Sequence, residues 1–180
     1  NGAERSELVN ALTTNVTSFF REPHQFVWLA SELFPQLEQA CAKARRVRIW
    51  SAGCSTGQEP YSLAIVASES KLTGAEWDLK ILATDLDSQV LDVARAGVYG
   101  ENELKGVSRE RLRRFFQRGK GAHAGHARVS EELSRRVEFR QLNLLEPWPM
   151  RGPFDVIFCR NVVIYFSKET QRQLFDRFAN

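Results

Sequence analysis

The stretch from residue 47 to residue 67 most constrains the fold, because it has the pattern of a buried strand, a turn of small residues and a buried helix. Val47–Ala52 is apolar and partly β-branched, as is typical of a buried strand. Gly53 and Gly57 permit positive φ in a tight turn, and Pro60 suits the first turn of the following helix. This unit predicts an α/β fold that binds a nucleotide-like ligand at the carboxyl end of its first strand.

The charge of the turn indicates the kind of ligand. Residues 53–59 contain no Lys or Arg and no GxxxxGK[ST] pattern, which disfavours a phosphate. They contain Glu59, and a carboxylate at this position suits a ligand with cationic groups or sugar hydroxyls. S-adenosylmethionine has both kinds of group.

The composition is typical of a single soluble domain. The chain has 180 residues, of which 43% are hydrophobic and 26% charged, and its net charge is +3. No apolar run is long enough to cross a bilayer and no secretory signal is visible, so we predict a cytoplasmic protein without membrane insertion. Cys41, Cys54 and Cys159 lack the spacing of metal ligands, and we predict reduced thiols and no metal site.

Three further apolar runs complete the predicted sheet: Leu79–Thr84, Val137–Leu142 and Phe154–Cys159. The last of them is continuous rather than alternating, which favours parallel strands covered on both faces. An amphipathic helix over Lys168–Ala179 is predicted to close the chain. The order of strands and helices is that of an α/β fold.

Polar residues follow the second and third strands, at the edge where α/β sheets bind ligands. Asp85 suits ribose hydroxyls, although its separation from Gly53 exceeds that of the dinucleotide fingerprint. Asp87 is predicted to cap the next helix, and Gly97 is predicted to end that helix. The amide of Asn143 either hydrogen-bonds an adenine edge or caps a turn.

The fourth strand is followed by a second polar group of residues. Arg160 and Asn161 come directly after it. Tyr165 lies about one helical turn beyond Asn161, and it is either a site residue or a half-buried core aromatic.

The segment before the first strand carries a candidate cation. Phe19 and Phe20 are predicted core residues, and Arg21 is either a cation held by these aromatics or part of a surface ion pair. Pro23 opens a predicted helix, and a second short helix spans 36–44. The apolar face of the first helix is formed by Phe26, Leu29, Ala30 and Leu33. Pro35 is predicted to interrupt the first helix, before the second one begins.

Residues 98–136 break the strand–helix rhythm. Ser108 starts a short basic helix, and strands at 115–118 and 127–129 are predicted to pair as an inserted antiparallel hairpin. The two histidines of its Gly/Ala turn are predicted to be solvated. Its basic residues have little aromatic interleaving, so a solvated face or an acidic protein partner is favoured over nucleic acid.

Four segments together go beyond a generic nucleotide-binding fold: Asn15–Glu22, Trp50–Ser62, Ala83–Asp87 and Phe154–Phe166. They resemble the CheR family, the S-adenosylmethionine-dependent methyltransferases that methylate glutamates of bacterial chemotaxis receptors. The resemblance runs from about Thr14 to the end of the chain.

The resemblance implies a Rossmann-like class I methyltransferase sheet within 47–180, preceded by a linker and helices at 1–46. It also implies a small inserted β-subdomain at about 107–136, which in some members of the family docks a receptor tail. The partner would be the cytoplasmic domain of a methyl-accepting chemotaxis receptor, and the products would be glutamate methyl esters and S-adenosylhomocysteine. Family members have seven strands, whereas four are predicted here. We therefore expect part of a longer protein, with a hydrophobic edge at 154–159 that favours dimers or aggregation.

The resemblance also implies the site residues. Those expected around the cofactor are Asn15, Thr17, Arg21, Gly53, Glu59, Asp85, Leu86, Asn143, Leu144, Arg160 and Asn161. Arg21 and Tyr165 are expected beside the reacting methyl group, with Asp85 on the ribose. Leu86, Asn143 and Leu144 would surround the adenine.

Two other readings remain open. A non-catalytic signalling module would keep the pocket for S-adenosylmethionine or S-adenosylhomocysteine but transfer nothing. A methyltransferase of the same fold would act on a small molecule or on nucleic acid. The sequence after the fourth strand lacks the Asn/Asp-Pro-Pro-aromatic motif of amino-methylating nucleic-acid enzymes. A nicotinamide-dependent oxidoreductase is disfavoured by the glycine spacing and by the position of the acid.

Overall fold

The structure is a computed structural model that describes residues 17–74 and 76–179. Its strands are β1 (Arg46–Ala52), β2 (Asp78–Asp85), β3 (Val98–Gly100), β4 (Phe116–Arg118), β5 (His126–Val129), β6 (Val137–Gln141) and β7 (Val156–Phe158). Its α-helices are α1 (Pro23–Trp28), α2 (Phe34–Ala40), α3 (Gln58–Ser68), α4 (Ser88–Ala96), α5 (Arg109–Phe115), α6 (Glu131–Ser134) and α7 (Lys168–Ala179). A π-helical turn spans Leu29–Leu33, and short 3₁₀ turns span Lys71–Thr73, Glu103–Gly106, Gly121–His123 and Val163–Tyr165.

The main sheet is parallel throughout and has the order β6-β2-β1-β7. The predicted α/β fold is therefore confirmed, and all four predicted strands are present. Strand β1 lies inside the sheet, and its side chains point alternately to two apolar layers. Ile49 faces the layer that contains α3, whereas Trp50 packs against Trp148, Phe154 and Phe178 on the other face.

Strand β7 is shorter than the predicted strand at 154–159, because only Val156–Phe158 pairs with β1. Asp155 ends the ladder: its backbone N–H donates to the Arg48 carbonyl (2.8 Å), and its carboxylate accepts from the Arg48 N–H (2.7 Å). Among the described residues β7 pairs with β1 alone, so the exposed edge is short rather than long.

The helices before β1 differ from the prediction at Pro35. Proline stands in the first turn of α2, where its missing N–H is not needed, so the chain stays helical through the π turn. Phe26 and Leu29 are buried as predicted, but Ala30 is exposed. The π turn adds one residue to the helical repeat, so Phe34 is fully buried one turn after Leu29, whereas the predicted Leu33 is only partly buried.

Helix α4 follows the sequence signals closely. The Asp87 carboxylate accepts from the backbone N–H groups of Gln89 (2.8 Å) and Val90 (3.3 Å), so the predicted cap is confirmed. Gly97 ends the helix with a φ of +58°.

A separate antiparallel sheet has the order β3-β5-β4. Strands β4 and β5 form the predicted hairpin, preceded by α5 with Ser108 as its N-cap. Sequence analysis missed β3, which lies outside the interval 107–136 and pairs with the far side of β5. We call these three strands the small sheet.

Candidate functional site

A cavity of about 340 Å³ lies at the carboxyl edge of the main sheet. Every predicted site residue that the structure describes lines it: Thr17, Arg21, Gly53, Glu59, Asp85, Leu86, Asn143, Leu144, Arg160, Asn161 and Tyr165. Asn15 lies outside the described residues. The cavity therefore brings these residues together, while their individual roles stay predictions.

The loop after β1, residues 53–57, forms one wall of the cavity, and we call it the β1 loop. The N–H groups of Gly53 and Cys54 donate to the Thr84 carbonyl at 2.8 and 2.9 Å, which ties the loop to the end of β2. Gly53 has a φ of +84°, and a Cβ there would lie 2.1 Å from Cγ2 of Val162. Only glycine fits this position, because it needs both the positive φ and the missing side chain.

Asp85 lies at the end of β2 and faces the cavity. Its Oδ2 accepts from the Ser55 N–H (2.7 Å), and its Oδ1 accepts from the Asp87 N–H (3.0 Å). Burial raises the pKa of the Asp85 carboxyl, although the backbone N–H groups act in the opposite direction. Each oxygen can accept a further hydrogen bond, so the carboxyl can bind a pair of neighbouring hydroxyls.

Glu59 is linked to the segment after β7 by a largely buried ion pair with Arg160. Ser51 Oγ donates to Glu59 Oε1 (2.8 Å), and Arg160 Nη1 lies 3.4 Å from Glu59 Oε2. The two charged side chains are only 13% and 12% exposed. Burial raises the pKa of Glu59, and the hydrogen bond from Ser51 and the charge of Arg160 lower it. This carboxylate lies where it can accept a cationic group of a ligand.

Arg160 also joins the segment after β7 to the segment before α1. Its Nη2 donates to the Arg21 carbonyl (2.7 Å) and lies 3.4 Å from a Glu22 carboxylate oxygen. Residues 17–22, which we call the arginine segment, therefore meet the β7 side of the cavity through one guanidinium.

The arginine segment has an unusual backbone on both sides of Arg21. Phe20 and Glu22 have φ values of +53° and +58°, a region that costs side-chain-bearing residues about 1–3 kcal/mol each. Phe19 and Phe20 are buried, as predicted. Two strained residues beside Arg21 are held by packing, and they place its side chain on the cavity.

Asn143 caps a turn, which was one of its two predicted alternatives. Its Oδ1 accepts from the Leu145 N–H (3.0 Å), and its Nδ2 donates to Glu146 Oε1 (3.1 Å). The adenine role stays a prediction. Leu144 is placed by its carbonyl, which accepts from Trp148 Nε1 and from Arg177 Nη1.

Tyr165 lies at the rim of the cavity in the 3₁₀ turn that follows Asn161. Its side chain is 63% exposed, so the alternative of a half-buried core aromatic is wrong. Asn161, which also lines the cavity, has a φ of +57°.

Six lining residues were not predicted as site residues: Ser18, Ser55, Leu142, Leu145, Val162 and Phe166. Most lie next to a predicted residue in the sequence, and that adjacency is the signal that could have identified them. The contact between Val162 and Gly53 had no such signal, since 109 positions separate two elements that only the sheet brings together.

Two further features of the described residues bear on function. Residues 17–74 and 76–179 contain no helix that is both long and apolar enough to cross a membrane. In the same ranges, no three His, Cys, Asp or Glu side chains are grouped as a metal site requires.

A comparison with protein families shows which family the chain belongs to. The family described as "CheR methyltransferase, SAM binding domain" matches residues 15–180. The chain belongs to the CheR methyltransferase family. The SAM of that description is S-adenosylmethionine.

Curated relatives agree with this assignment. The chain is 47% identical to the "Chemotaxis protein methyltransferase" of Salmonella typhimurium, over 99% of this chain and 60% of the relative. It is 51% identical to "Chemotaxis protein methyltransferase 2" of Pseudomonas aeruginosa, over 97% of this chain and 61% of the relative. This CheR domain thus spans about three fifths of the length of these relatives.

The chain has a weak structural similarity to a solved methyltransferase. The magnesium protoporphyrin IX methyltransferase of Synechocystis, solved with bound SAH, aligns with a TM-score of 0.42 at 16% identity. That alignment covers 99% of this chain and 61% of the other.

Proposed function

We propose that this protein transfers the methyl group of S-adenosylmethionine to glutamate side-chain carboxylates of methyl-accepting chemotaxis receptors. The products are glutamate methyl esters and S-adenosylhomocysteine. The observation that carries the proposal is the match to the CheR family over residues 15–180, within which the cavity gathers two buried carboxylates and Arg21. We further propose a cytoplasmic location, where the signalling domains of such receptors lie.

The two carboxylates suit the two polar ends of the cofactor. Asp85 stands beside the β1 loop with both oxygens oriented by backbone N–H groups, which suits the ribose hydroxyls. Glu59 lies deeper, held by Ser51 and Arg160, and suits the amino group of the methionine part. Leu86 and Leu144 also line the cavity and are proposed to surround the adenine.

The reaction needs positioning more than proton transfer. Bound S-adenosylmethionine supplies a methyl group on a positively charged sulfur, and a glutamate carboxylate is already ionised at neutral pH. No general base is required, and the described lining residues include no His, Cys or Lys. The task of the protein is to align the carboxylate with the methyl group, since orientation alone supplies large rate enhancements.

Arg21 is the residue proposed to orient the acceptor carboxylate. A guanidinium can donate a charge-assisted hydrogen bond to one oxygen while the other oxygen attacks. Tyr165, exposed at the rim, is proposed to position the reacting end of the cofactor. The small sheet is proposed to contact the receptor. Its basic residues would suit an acidic segment of the receptor's C-terminal tail.

Calorimetric titration with S-adenosylhomocysteine tests the pocket, and methylation of a receptor cytoplasmic fragment tests the activity. We expect Asp85→Ala to lose most of the affinity for S-adenosylhomocysteine. We expect Arg21→Ala to keep much of that affinity and to lose turnover. An Arg21→Ala variant that methylates the receptor at the normal rate would refute the role of Arg21.

The alternative of a non-catalytic module gives a different result in the same assays. It predicts saturable binding of S-adenosylhomocysteine by the unmodified protein, but no transfer of labelled methyl groups to any receptor fragment. A methyltransferase with another substrate would consume S-adenosylmethionine only when that substrate is added.

A further inference from the structure

The small sheet shapes the cavity without lining it. None of the described residues of the small sheet and its connections, 98–129, lines the cavity. Its buried side chains nevertheless contact both the β1 loop and the arginine segment. Two walls that are distant in sequence are therefore supported by the same structure.

Tyr99, at the centre of β3, makes both contacts with one side chain. It is completely buried, and its hydroxyl donates to the Thr56 carbonyl in the β1 loop (2.7 Å). The rings of Tyr99 and Phe19 pack edge to face, with centroids 5.0 Å apart and an interplanar angle of 86°. Tyr99 thus fixes the separation between the β1 loop and the arginine segment.

The arginine segment has further support on the same side. Phe116 of β4 packs against Phe19 with ring centroids 5.6 Å apart. The guanidinium of Arg111 lies 4.4 Å above the ring of Phe20. Arg111 is itself held by two hydrogen bonds to the Glu69 carboxylate, from Nε (2.8 Å) and from Nη2 (2.7 Å).

These contacts explain how the arginine segment keeps its unusual backbone conformation. Phe20 and Glu22 both have positive φ, and such residues persist only where the surroundings determine their conformation. Phe20 is fixed from one side by Arg111 and from the other by Ser62, whose Oγ accepts the Phe20 N–H (3.0 Å). The direction of the Arg21 side chain depends on this arrangement.

We propose that Tyr99 and Arg111 are positioning residues: Tyr99 sets the β1 loop against the cofactor, and Arg111 sets the segment that carries Arg21. The proposal rests on the proposed function and assigns separate consequences to the two residues. Loss of the Tyr99 hydroxyl weakens cofactor binding, whereas loss of the Arg111 guanidinium lowers turnover.

The Tyr99 half is tested with Tyr99→Phe against Tyr61→Phe. Both changes remove a buried hydroxyl that donates to a backbone carbonyl, since Tyr61 donates to the Ala94 carbonyl (2.9 Å), away from the cavity. By titration calorimetry, we expect Tyr99→Phe to bind S-adenosylhomocysteine about three- to tenfold more weakly. Tyr61→Phe is expected to bind it normally. Equal affinities in the two variants would overturn this half of the proposal.

The Arg111 half is tested with Arg111→Met against Arg113→Met, an exposed arginine on the same helix. We expect Arg111→Met to lower kcat for receptor methylation by about fivefold or more, because a cation over a ring and a bidentate ion pair are both lost. Its affinity for S-adenosylhomocysteine is expected to stay within about twofold of the unmodified protein. Arg111→Lys, which keeps the cation, is expected to recover part of kcat. A kcat equal to that of Arg113→Met would overturn this half.

Hydrogen exchange separates failure of the proposal from failure of the proposed function. If the unmodified protein binds no S-adenosylhomocysteine, the proposed function fails, but amide exchange can still be measured. Positioning by Tyr99 predicts faster exchange in residues 53–57 of Tyr99→Phe than of Tyr61→Phe. Positioning by Arg111 predicts faster exchange at Phe20 and Arg21 in Arg111→Met than in Arg113→Met. Equal exchange in a pair would overturn that half, whatever the ligand.

Discussion

The two strands that meet at the cavity, β1 and β7, hold their site residues in different ways. Strand β1 pairs on both sides, with β2 over seven residue pairs and with β7 over three. Strand β7 pairs with β1 alone among the described residues, and its three residues are half-buried. The position of β1 is therefore determined by pairing on both sides. The position of β7 depends more on the side-chain contacts of the residues that flank it.

The loops that follow the two strands show the same difference. The β1 loop is held by backbone hydrogen bonds to the adjacent strand, from Gly53 and Cys54 to Thr84. The residues after β7 are held by side chains: Arg160 reaches Glu59 and the Arg21 carbonyl across the cavity, and Gln171 donates to the Val163 and Phe166 carbonyls. The first half of the site depends on backbone hydrogen bonds to the adjacent strand, whereas the contacts of Arg160 in the second half join residues more than 100 positions apart.

The largest expected effect is a difference in the free energy of unfolding between matching Ile→Ala variants in β1 and β7. Ile49 on β1 is completely buried, and Ile157 on β7 is only half-buried. We expect Ile49→Ala to lower the free energy of unfolding by about 2–5 kcal/mol, because it leaves a cavity in a closed core. The same change at Ile157 is expected to cost about 1 kcal/mol. Chemical denaturation monitored by circular dichroism measures both, and equal losses would contradict the contrast.

A smaller effect is expected where the two halves touch. Gly53→Ala places a methyl group against Val162 and forces a positive φ on alanine. We expect at least about a tenfold loss of affinity for S-adenosylhomocysteine and a loss of about 1–3 kcal/mol in stability. Val162→Ala in the same chain removes the clash but not the unfavourable φ. The double variant should therefore bind better than Gly53→Ala, and no recovery would mean that the φ alone decides.

The smallest effect is expected from pH, acting through the two carboxylates. Burial raises the pKa of Glu59 above 4.5 and that of Asp85 above 3.8. The folded state thus holds these protons to higher pH than the unfolded chain does. This favours folding below the ordinary carboxyl pKa values, and the advantage is lost as pH rises through the raised values.

Binding of the cofactor product should show the opposite dependence, because it needs both carboxylates ionised. We expect the affinity for S-adenosylhomocysteine to decrease as pH falls through a range that begins above the ordinary carboxyl values. Glu59→Gln should bind more weakly at neutral pH and show a flatter pH profile. Calorimetric titrations between neutral and mildly acidic pH measure this, and parallel profiles for the two proteins would exclude Glu59 as the titrating group.

Local sequence signals were accurate where a single element or its cap determined the outcome. The Asp87 cap, the Gly97 helix end and the four strands of the main sheet were all predicted from neighbouring residues. Predictions failed where neighbours in space replaced neighbours in sequence. Strand β3 is only three residues long and has a weak pattern of its own, so its pairing with β5 was not visible.

One error and one open alternative were decided by local backbone conformation. Pro35 was expected to interrupt a helix, but the π turn before it placed proline where no N–H is needed. For Tyr165, burial in the core was one of two predicted alternatives, because aromatic side chains are often buried. The 3₁₀ turn after Asn161 instead leaves its side chain exposed at the rim of the cavity.

The sequence by itself determined the α/β class, the small-residue turn after β1 and the polar residues at the strand ends, because each depends on periodicity or on the chemistry of a few adjacent positions. It also carried the resemblance to the CheR family. The tertiary structure alone decided that Val162 leaves no room at Gly53, that Arg160 joins Glu59 to the arginine segment, and that Tyr99 supports both walls. These contacts join residues from 43 to 139 positions apart, and only the packed sheets bring them within reach of each other.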